Sequence, residues 1–165
     1  NIGSNIYIIG KTIGHLEQSI LCYDLLNLKK GQPPSINLDD EYNNGKAVRS
    51  LIENDLIDSC HDISSGGLVL CLLEMSIASN IGFNLDTNKK SIDRVKFLFG
   101  EDQSRYIVEV NNKNEDNFEN HLKGLRIFYQ KLGKTSENIN IDDDLKFDLK
   151  ELSKINKEWF CKYDS

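Results

Sequence analysis

The stretch "SCHDISSGGLVLCLLEMSIAS", residues 59–79, decides the fold and raises the first functional question. It begins as the end of a strand, continues through a polar, glycine-rich turn, and finishes in a segment that carries hardly any charge. A helix that is apolar nearly all round is a buried helix rather than an amphipathic one. The sequence therefore predicts a strand, a tight turn and a buried helix that follow one another without a spacer.

The turn between strand and helix has two interpretations. The first amides of a helix lack helical partners and carry partial positive charge, so Ser64, Ser65, Gly66 and Gly67 would form a cradle for a phosphate. Asp62, just before the cradle, would hold a magnesium ion that accompanies the phosphate. The alternative is an ordinary capped helix, with Ser64 or Ser65 as the N-cap and the glycines forming the turn.

A second polar stretch, "FGEDQSR" at residues 99–105, stands at the entry to the strand-like run "RYIVEV". It places a glycine, two carboxylates, an amide, a hydroxyl and a guanidinium within seven residues. Taken alone, it is more typical of a solvated turn with a local Arg–carboxylate pair than of a binding site. Because two such loops at strand ends of one sheet could converge, we expect them to form a joint site.

Composition limits the classes of function. The chain has 165 residues, of which 28% are charged, and a net charge of −6, which suits a single globular domain with its own core. The negative charge argues against a general nucleic-acid surface, which needs clustered Lys and Arg. No apolar run reaches the length of a membrane span. We therefore expect neither a nucleic acid nor a membrane as partner.

The cysteines have no CxxC pairing and no metal-like spacing with the histidines, so we expect reduced thiols in a cytoplasmic protein. The four are Cys22, Cys60, Cys71 and Cys161. A catalytic Cys60–His61 dyad is the sharper alternative. Adjacent strand residues point to opposite faces, however, which argues against that dyad.

The order of elements predicts an α+β fold, with a mixed β-sheet covered by helices, because strands and helices mix without a strict βαβ rhythm. Helices are expected at 15–26, 37–55, 67–79, 91–99, 114–125 and 149–163. Strands are expected at 5–10, 56–62, 81–86, 105–110 and 126–135. Ser91 is the expected cap of its helix. The acidic run "NIDDD" at 140–144 is expected to be a solvated turn.

The motifs resemble a known family. "SCHDISSGGLVLCLLEMSIASNIGFNLD" is similar to the HDxS[DE]GGLxxxLxEMxxAxxxG signature of phosphoribosylformylglycinamidine synthases. Other stretches resemble that family's landmarks in the same order: "IYIIGKTIGHLEQS", "PPSINLDDEYNNGKAVRSLI", "LFGEDQSRYIVEV" and "IFYQKLGKT". Ser65 departs from the pattern, which usually has an acid there. The resemblance implies a fold like the C-terminal domain of aminoimidazole ribonucleotide (AIR) synthase.

The resemblance also implies an activity for the parent enzyme. It would be an ATP-dependent amidoligase of purine biosynthesis that converts formylglycinamide ribonucleotide to formylglycinamidine ribonucleotide with glutamine-derived ammonia. Residues 1–165 would be one C-terminal-type domain, the last of a longer enzyme, inactive alone. Its partners would be the remaining domains, a glutaminase subunit and a small accessory subunit. The family's catalytic histidine lies in a domain this chain lacks, so no catalytic residue is expected here and His61 is expected to be structural.

The resemblance and the cradle argument together assign ligand contacts, with Mg²⁺ and ATP or ADP as cofactors. The expected nucleotide contacts are Asp62, Ser64, Gly66, Gly67 and Gly100. The expected metal ligands are Asp62 and Glu101, and the expected substrate contacts are Gln103, Ser104 and Arg105. Two other hypotheses remain at this point: a non-catalytic module that holds a nucleotide or docks neighbouring domains, and a stand-alone regulatory domain of the same fold.

Overall fold

The structure is a computed structural model that describes the backbone of residues 1–87 and 92–163, and the side chains of residues 1–87 and 92–159. Within these residues the strands are β1 Asn5–Ile9, β2 Ser59–Asp62, β3 Gly82–Leu85, β4 Tyr106–Val110, β5 Tyr129–Ser136, β6 Ile139–Ile141 and β7 Leu145–Phe147. The α-helices are α1 Leu38–Glu53, α2 Gly67–Ser79, α3 Arg94–Phe99, α4 Glu115–Leu125 and α5 Leu149–Tyr163.

The strands form one mixed sheet in the order β2-β4-β1-β5-β3-β6-β7. Every pairing is antiparallel except that of β3 with β6. All five residues of β1 are buried, because this strand lies inside the sheet and both of its faces are covered. The predicted α+β fold with a helix-covered mixed sheet is confirmed.

Alternating side chains of β1 supply two separate cores, one on each face of the sheet. Ile6 and Ile8 belong to the core that includes residues of α2 and α3. Tyr7 and Ile9 belong to the core that includes residues of α1 and α4. Successive strand residues point to opposite faces, so an unbroken apolar run such as "IYII" is what a strand covered on both sides requires.

Helix α2 occupies the range expected for it, but neither serine caps it. Its N-cap is Gly66, in the left-handed region at φ 79°, and no side chain of that residue is available as a cap. Gly67 also has a positive φ, of 69°, and a Cβ there would meet the Phe99 carbonyl carbon at 2.7 Å. Gly67 therefore lets the helix start lie directly against the end of α3.

The helix expected at 15–26 is wrong. Only the segment around Leu21–Leu25 is helical, of the π type, and residues 11–19 lie outside any helix or strand. Gln18 has a positive φ of 58°, which interrupts any helix there. The Ile20 amide, which in a helix beginning at residue 15 would donate to the Leu16 carbonyl, donates instead to the Glu101 carboxylate at 2.8 Å, so a tertiary contact overrides the local helical pattern.

Two smaller expectations also change. Helix α3 begins at Arg94 with Asp93 as its N-cap, whose carboxylate accepts the Lys96 amide; Ser91, the expected cap, lies outside the described residues. The run at 140–144 is not a simple solvated turn. Its Asp142 side chain is 2% exposed and pairs with Arg94 at 3.0 Å. This turn joins β6 to β7 and is fixed by that contact.

Candidate functional site

Three loops meet at one end of the sheet, and we call them the site loops: residues 10–20, 62–67 and 100–105. Asp62 at the end of β2 pairs with Tyr106 at the start of β4, and Tyr106 in turn pairs with Ile9 at the end of β1. The Ile63 amide donates to the Arg105 carbonyl at 2.9 Å, which joins two of the loops directly. The convergence of the two polar motifs expected from the sequence is confirmed.

Glu101 ties the three loops together. Its Oε1 accepts the amide of Gly66 at 2.8 Å and the amide of Ile20 at 2.8 Å. The amide of Glu101 donates to the His15 carbonyl at 2.9 Å. A carboxylate is favourably placed at a helix N-terminus because of the partial positive charge there. Glu101 therefore caps α2 from a loop 35 residues away in the chain.

Asp102 was not selected from the sequence, yet it is the most heavily bonded carboxylate of the site loops. It is buried, and it accepts the amides of Ile13, Gly14 and His15 at 2.9, 2.8 and 3.0 Å. The partners lie 87–89 residues away in sequence, so no local pattern identifies them. Its position between Glu101 and Arg105 in "GEDQSR" was the available signal.

Arg105 is fully buried, so its guanidinium has no exposed surface on which a substrate could rest. Its nitrogens donate to the Asp102 carbonyl at 3.0 Å, the Thr12 hydroxyl at 3.1 Å and the Gly100 carbonyl at 2.7 Å. Burial lowers the pKa of Arg105, and the nearby Asp102 carboxylate opposes that shift. The structure thus makes Arg105 the internal support of the 100–105 loop.

The expected cradle residues divide into exposed and engaged groups. The Asp62 side chain is 69% exposed, and Ser64 is exposed beside it. Gly66 and Gly67 are buried, and their amides donate to Glu101 and to the Ser64 carbonyl. A phosphate that reached the Gly66 amide would have to take the place of the Glu101 oxygen.

Gly100 has a packing role that its sequence position did not reveal. A Cβ at this residue would lie 2.5 Å from the Lys96 carbonyl oxygen and 2.8 Å from the Gly14 Cα. Both distances are too short for a real side chain, so only glycine lets the loop at Gly14 approach α3 this closely. Its carbonyl accepts from the buried Arg105.

The carboxylates at the site loops could supply only part of the coordination shell of a cation. Among the described residues no group of three His, Cys, Asp or Glu side chains is placed to hold a metal ion. Mg²⁺ is commonly bound through one or two carboxylates, with phosphate oxygens and waters completing its shell. Exposed Asp62 fits that partial role, whereas Glu101 already has one oxygen bound to two amides.

The Cys60–His61 pair does not form a nucleophile. Burial, with a smaller contribution from Asp62, raises the pKa of Cys60 to about 11, so its thiol stays protonated near neutral pH. His61 Nδ1 lies 2.7 Å from the Asp62 carbonyl oxygen, and its Nε2 lies 3.6 Å from a Glu74 carboxylate oxygen. These contacts connect the end of β2 to α2, which agrees with the structural role expected for His61.

A cavity of about 550 Å³ opens beside the 100–105 loop, and Gln103 and Ser104 line it. Its other walls come from the 10–15 segment, the start of α1 and residues 125–128. Gln103 is exposed, while Ser104 has a positive φ of 61° and donates to Glu41 at 2.5 Å. Two of the three residues expected to contact substrate, Gln103 and Ser104, therefore line a pocket of mixed polarity, whereas the buried Arg105 does not.

A second cavity, of about 730 Å³, lies away from the site loops. It is lined by Ser59 of β2 and Glu109 of β4, whereas Asp62 and Tyr106 stand at the other ends of these two strands. Thr135, near the end of β5, also lines it. Its walls are mostly apolar side chains of α2 and of the sheet. Large apolar cavities often bind ligands, but a ligand is oriented by polar groups. Because polar groups converge at the 550 Å³ cavity, that cavity is the candidate substrate site.

Comparison with known proteins identifies the family. The family model described as "AIR synthase related protein, C-terminal domain" matches residues 4–142. The chain belongs to this family. The matched range contains all three site loops and ends just after β6.

Curated relatives extend the match to nearly the whole chain. The phosphoribosylformylglycinamidine synthase subunit PurL of Pelagibacter ubique is 38% identical over 159 residues, which are 96% of this chain and 22% of the relative. The PurL subunit of Rhodopseudomonas palustris is 36% identical over 162 residues, 98% of this chain and 22% of the relative. The chain therefore spans about a fifth of the length of these relatives.

Solved structures share the fold of this AIR synthase-related domain. Thermotoga maritima PurL complexed with FGAR superposes with a TM-score of 0.73 at 15% identity, over 93% of this chain and 28% of that one. Thiamine-monophosphate kinase from Stenotrophomonas maltophilia superposes with a TM-score of 0.58 at 14% identity, over 87% of this chain and 51% of that one.

Within the described residues, no helix is long and apolar enough to cross a membrane.

Proposed function

We propose that this domain forms one wall of the nucleotide and substrate site of a phosphoribosylformylglycinamidine synthase. The observation that carries the proposal is the meeting of the three site loops, with Glu101 bonded to two of them. The PurL relatives, and the likeness to T. maritima PurL solved in complex with FGAR and with ATP, support it. In the proposed reaction ATP phosphorylates the amide oxygen of formylglycinamide ribonucleotide, and ammonia then displaces phosphate from the iminophosphate.

Within that site the exposed groups would contact the ligands. Asp62 and Ser64 would meet the Mg·ATP or Mg·ADP phosphates, and Gly66 and Gly67 would shape the turn that receives them. Mg²⁺, held through Asp62 with Glu101 as a second carboxylate, would spread the charge on the phosphate oxygens. On the other side of the 100–105 loop, Gln103 and Ser104 would contact the substrate from the cavity they line.

In this proposal two of the predicted contact residues, Gly100 and Arg105, support the loop without touching a ligand. Gly100 would allow the close approach of the neighbouring loop, and Arg105 would hold that loop in shape through its internal bonds. Both would thereby position the exposed Gln103 and the half-buried Ser104. Their contribution is geometric, because neither presents a free polar group to the cavity.

The domain would act as part of a longer protein. Residues 1–165 would be its last domain, with the remaining domains, a glutaminase subunit and a small accessory subunit as partners. One wall cannot enclose a nucleotide or align it against an acceptor amide, so we expect no turnover from this chain alone. The free thiols of Cys22, Cys60 and Cys71 suit a cytoplasmic location.

The test is a titration of Mg·ATP and Mg·ADP into the full-length protein and its Asp62→Asn and Glu101→Gln variants, by calorimetry. We expect each substitution to weaken binding at least about tenfold and to lower turnover. Asp116→Asn, an exposed acid on α4, is the matched control and should leave both unchanged. Unchanged binding and turnover in both variants would refute the assignments of these two residues.

The alternative of a docking module without ligand contacts is favoured by one observation. Large apolar side chains are exposed along residues 13–42, including Leu25, Leu38 and Tyr42. The same titration separates the two functions. A docking module would lose no nucleotide affinity in Asp62→Asn, whereas a ligand wall would.

A further inference from the structure

A folded loop near the site presents an unusual set of side chains to solvent. Residues 19–30, called here the 19–30 loop, have exposed apolar side chains at Ile20, Tyr23, Leu25, Leu26 and Leu28. The Leu25 side chain is 72% exposed and that of Leu28 is 54% exposed. Contiguous exposed apolar surface on a globular domain marks an interaction site.

The loop is folded rather than loose, because its neck and interior are hydrogen-bonded. At the neck, the Gln18 side-chain amide donates to the Gly31 carbonyl at 2.8 Å, and the Gln32 backbone amide donates to the Glu17 carboxylate at 2.8 Å. Inside the loop, the Leu28 amide donates to the Cys22 carbonyl at 2.7 Å. A compact surface loop closed at its ends in this way is frequently functional.

The loop is also joined to the site. Ser19, at its start, is fully buried, and the next amide, that of Ile20, donates to Glu101. The same Glu101 oxygen accepts the Gly66 amide at the start of α2. The start of the loop therefore lies next to the turn that would receive a nucleotide.

We propose that the 19–30 loop docks onto an apolar surface of another domain of the same polypeptide. The PurL relatives are several times longer than this chain, which covers 22% of their length, so such a domain is at hand. The inference rests on the proposed function in one respect: the wall opposite the site loops belongs to that longer protein. The Ile20–Glu101–Gly66 contacts would then couple the docking of that wall to the shape of the nucleotide turn.

The first test introduces a charge into the loop of the full-length protein. Leu25→Asp and Leu28→Asp should each lower the apparent Tm by about 3 °C or more, because a carboxylate would be buried against the second domain. The control is Ile52→Asp on α1, whose wild-type side chain is 54% exposed, as that of Leu28 is. It should shift the Tm by less than about 1 °C. Equal shifts in the loop and control variants, large or small, would overturn the proposal.

A second test holds even where the charged variants fail to fold. Leu25→Cys and Ile52→Cys in the full-length protein are reacted with a maleimide and followed by peptide mass spectrometry. We expect the thiol at position 25 to react about tenfold more slowly than the one at position 52. Equal rates would refute docking. Protection at position 25 that appears only as the protein self-associates, by sedimentation, would assign the loop to a second copy instead.

The Tm shifts and the maleimide rates are measured without nucleotide, so they are obtained separately from the Mg·ATP affinity. Loss of loop protection with intact Mg·ATP affinity would refute the docking proposal alone. Intact protection with no effect of Asp62→Asn on affinity would refute the proposed function alone.

Discussion

Acidic side chains stabilise two regions of this domain, and the regions differ in what the carboxylates bind. At the site loops, Glu101 and Asp102 accept backbone amides of residues distant in sequence. On the α4 face of the sheet, Glu115 and Glu119 accept the Tyr7 hydroxyl, at 2.6 and 3.0 Å. The first arrangement fixes the path of the main chain, whereas the second joins side chains whose backbone is already fixed by strand and helix.

Burial separates the two regions further. Asp102 and Arg105 are both buried, so removal of either leaves a charge in the interior without its partner. Glu115 and Glu119 are only partly buried, and lysines compensate them: Lys131 lies 2.5 Å from Glu115 and Lys123 lies 3.0 Å from Glu119. Loss of a carboxylate should therefore destabilise the fold strongly at the site loops and only weakly on the α4 face, because solvent and neighbouring side chains can replace its interactions only on the α4 face.

The largest effect is expected at Arg105. Arg105→Met should lower the free energy of unfolding by about 3–5 kcal/mol, since it leaves Asp102 uncompensated and two carbonyls without donors. Urea unfolding of the chain measures the loss. Arg105→Lys keeps the charge but not the three-way geometry, and should lose about 1–3 kcal/mol. A loss below about 1 kcal/mol in Arg105→Met would show that the 100–105 loop does not depend on this residue.

An intermediate effect is expected at Asp102, with Asp62 as the matched control. Asp102→Asn keeps the shape but faces its amide nitrogen toward backbone donors, and should lose about 2–3 kcal/mol of unfolding free energy. Asp62→Asn, at an exposed carboxylate, should change it by less than about 0.5 kcal/mol. Urea unfolding of both variants gives the comparison. Similar losses of unfolding free energy in the two variants would mean that burial does not distinguish the structural role of Asp102 from the proposed ligand-binding role of Asp62.

The smallest effect is expected on the α4 face. Tyr7→Phe should lose about 1.5 kcal/mol at pH 7, because it removes a hydroxyl that donates to charged carboxylates. Hydrogen bonds from Lys131 and then Tyr7 lower the pKa of Glu115, and bonds from Lys123 and Tyr7 lower that of Glu119. A carboxylate with a depressed folded-state pKa stabilises the fold above its ordinary value near 4.5, and this contribution is lost as the pH falls.

The cost of Tyr7→Phe should therefore shrink as the pH falls from 7 to about 3. Thermal unfolding of wild type and variant across this range measures it. Tyr129→Phe, whose hydroxyl donates to Glu119 at the longer distance of 3.2 Å, should cost less at every pH. A cost of Tyr7→Phe that stays constant with pH would show that the carboxylates do not receive this hydrogen bond.

The sequence by itself determined the parts of the fold that depend on local pattern. The apolar run of β1 required a strand covered on both faces, and the largely apolar segment after Gly67 required a buried helix. The motifs at 59–79 and 99–105 identified the family and the end of the sheet where the site loops meet. These features are visible because each lies within one element or one turn.

Only the tertiary structure decided how those loops are held. Residues 15–26 have a helical pattern, yet the segment before the π-helical turn stays irregular because Gln18 has a positive φ and the Ile20 amide donates to the distant Glu101 carboxylate. Arg105 reads as a surface residue in the sequence and is the charge buried beneath its loop. The sequence does not distinguish an exposed carboxylate such as Asp62 from a buried one such as Asp102, which accepts three distant amides, because burial is a property of the whole fold.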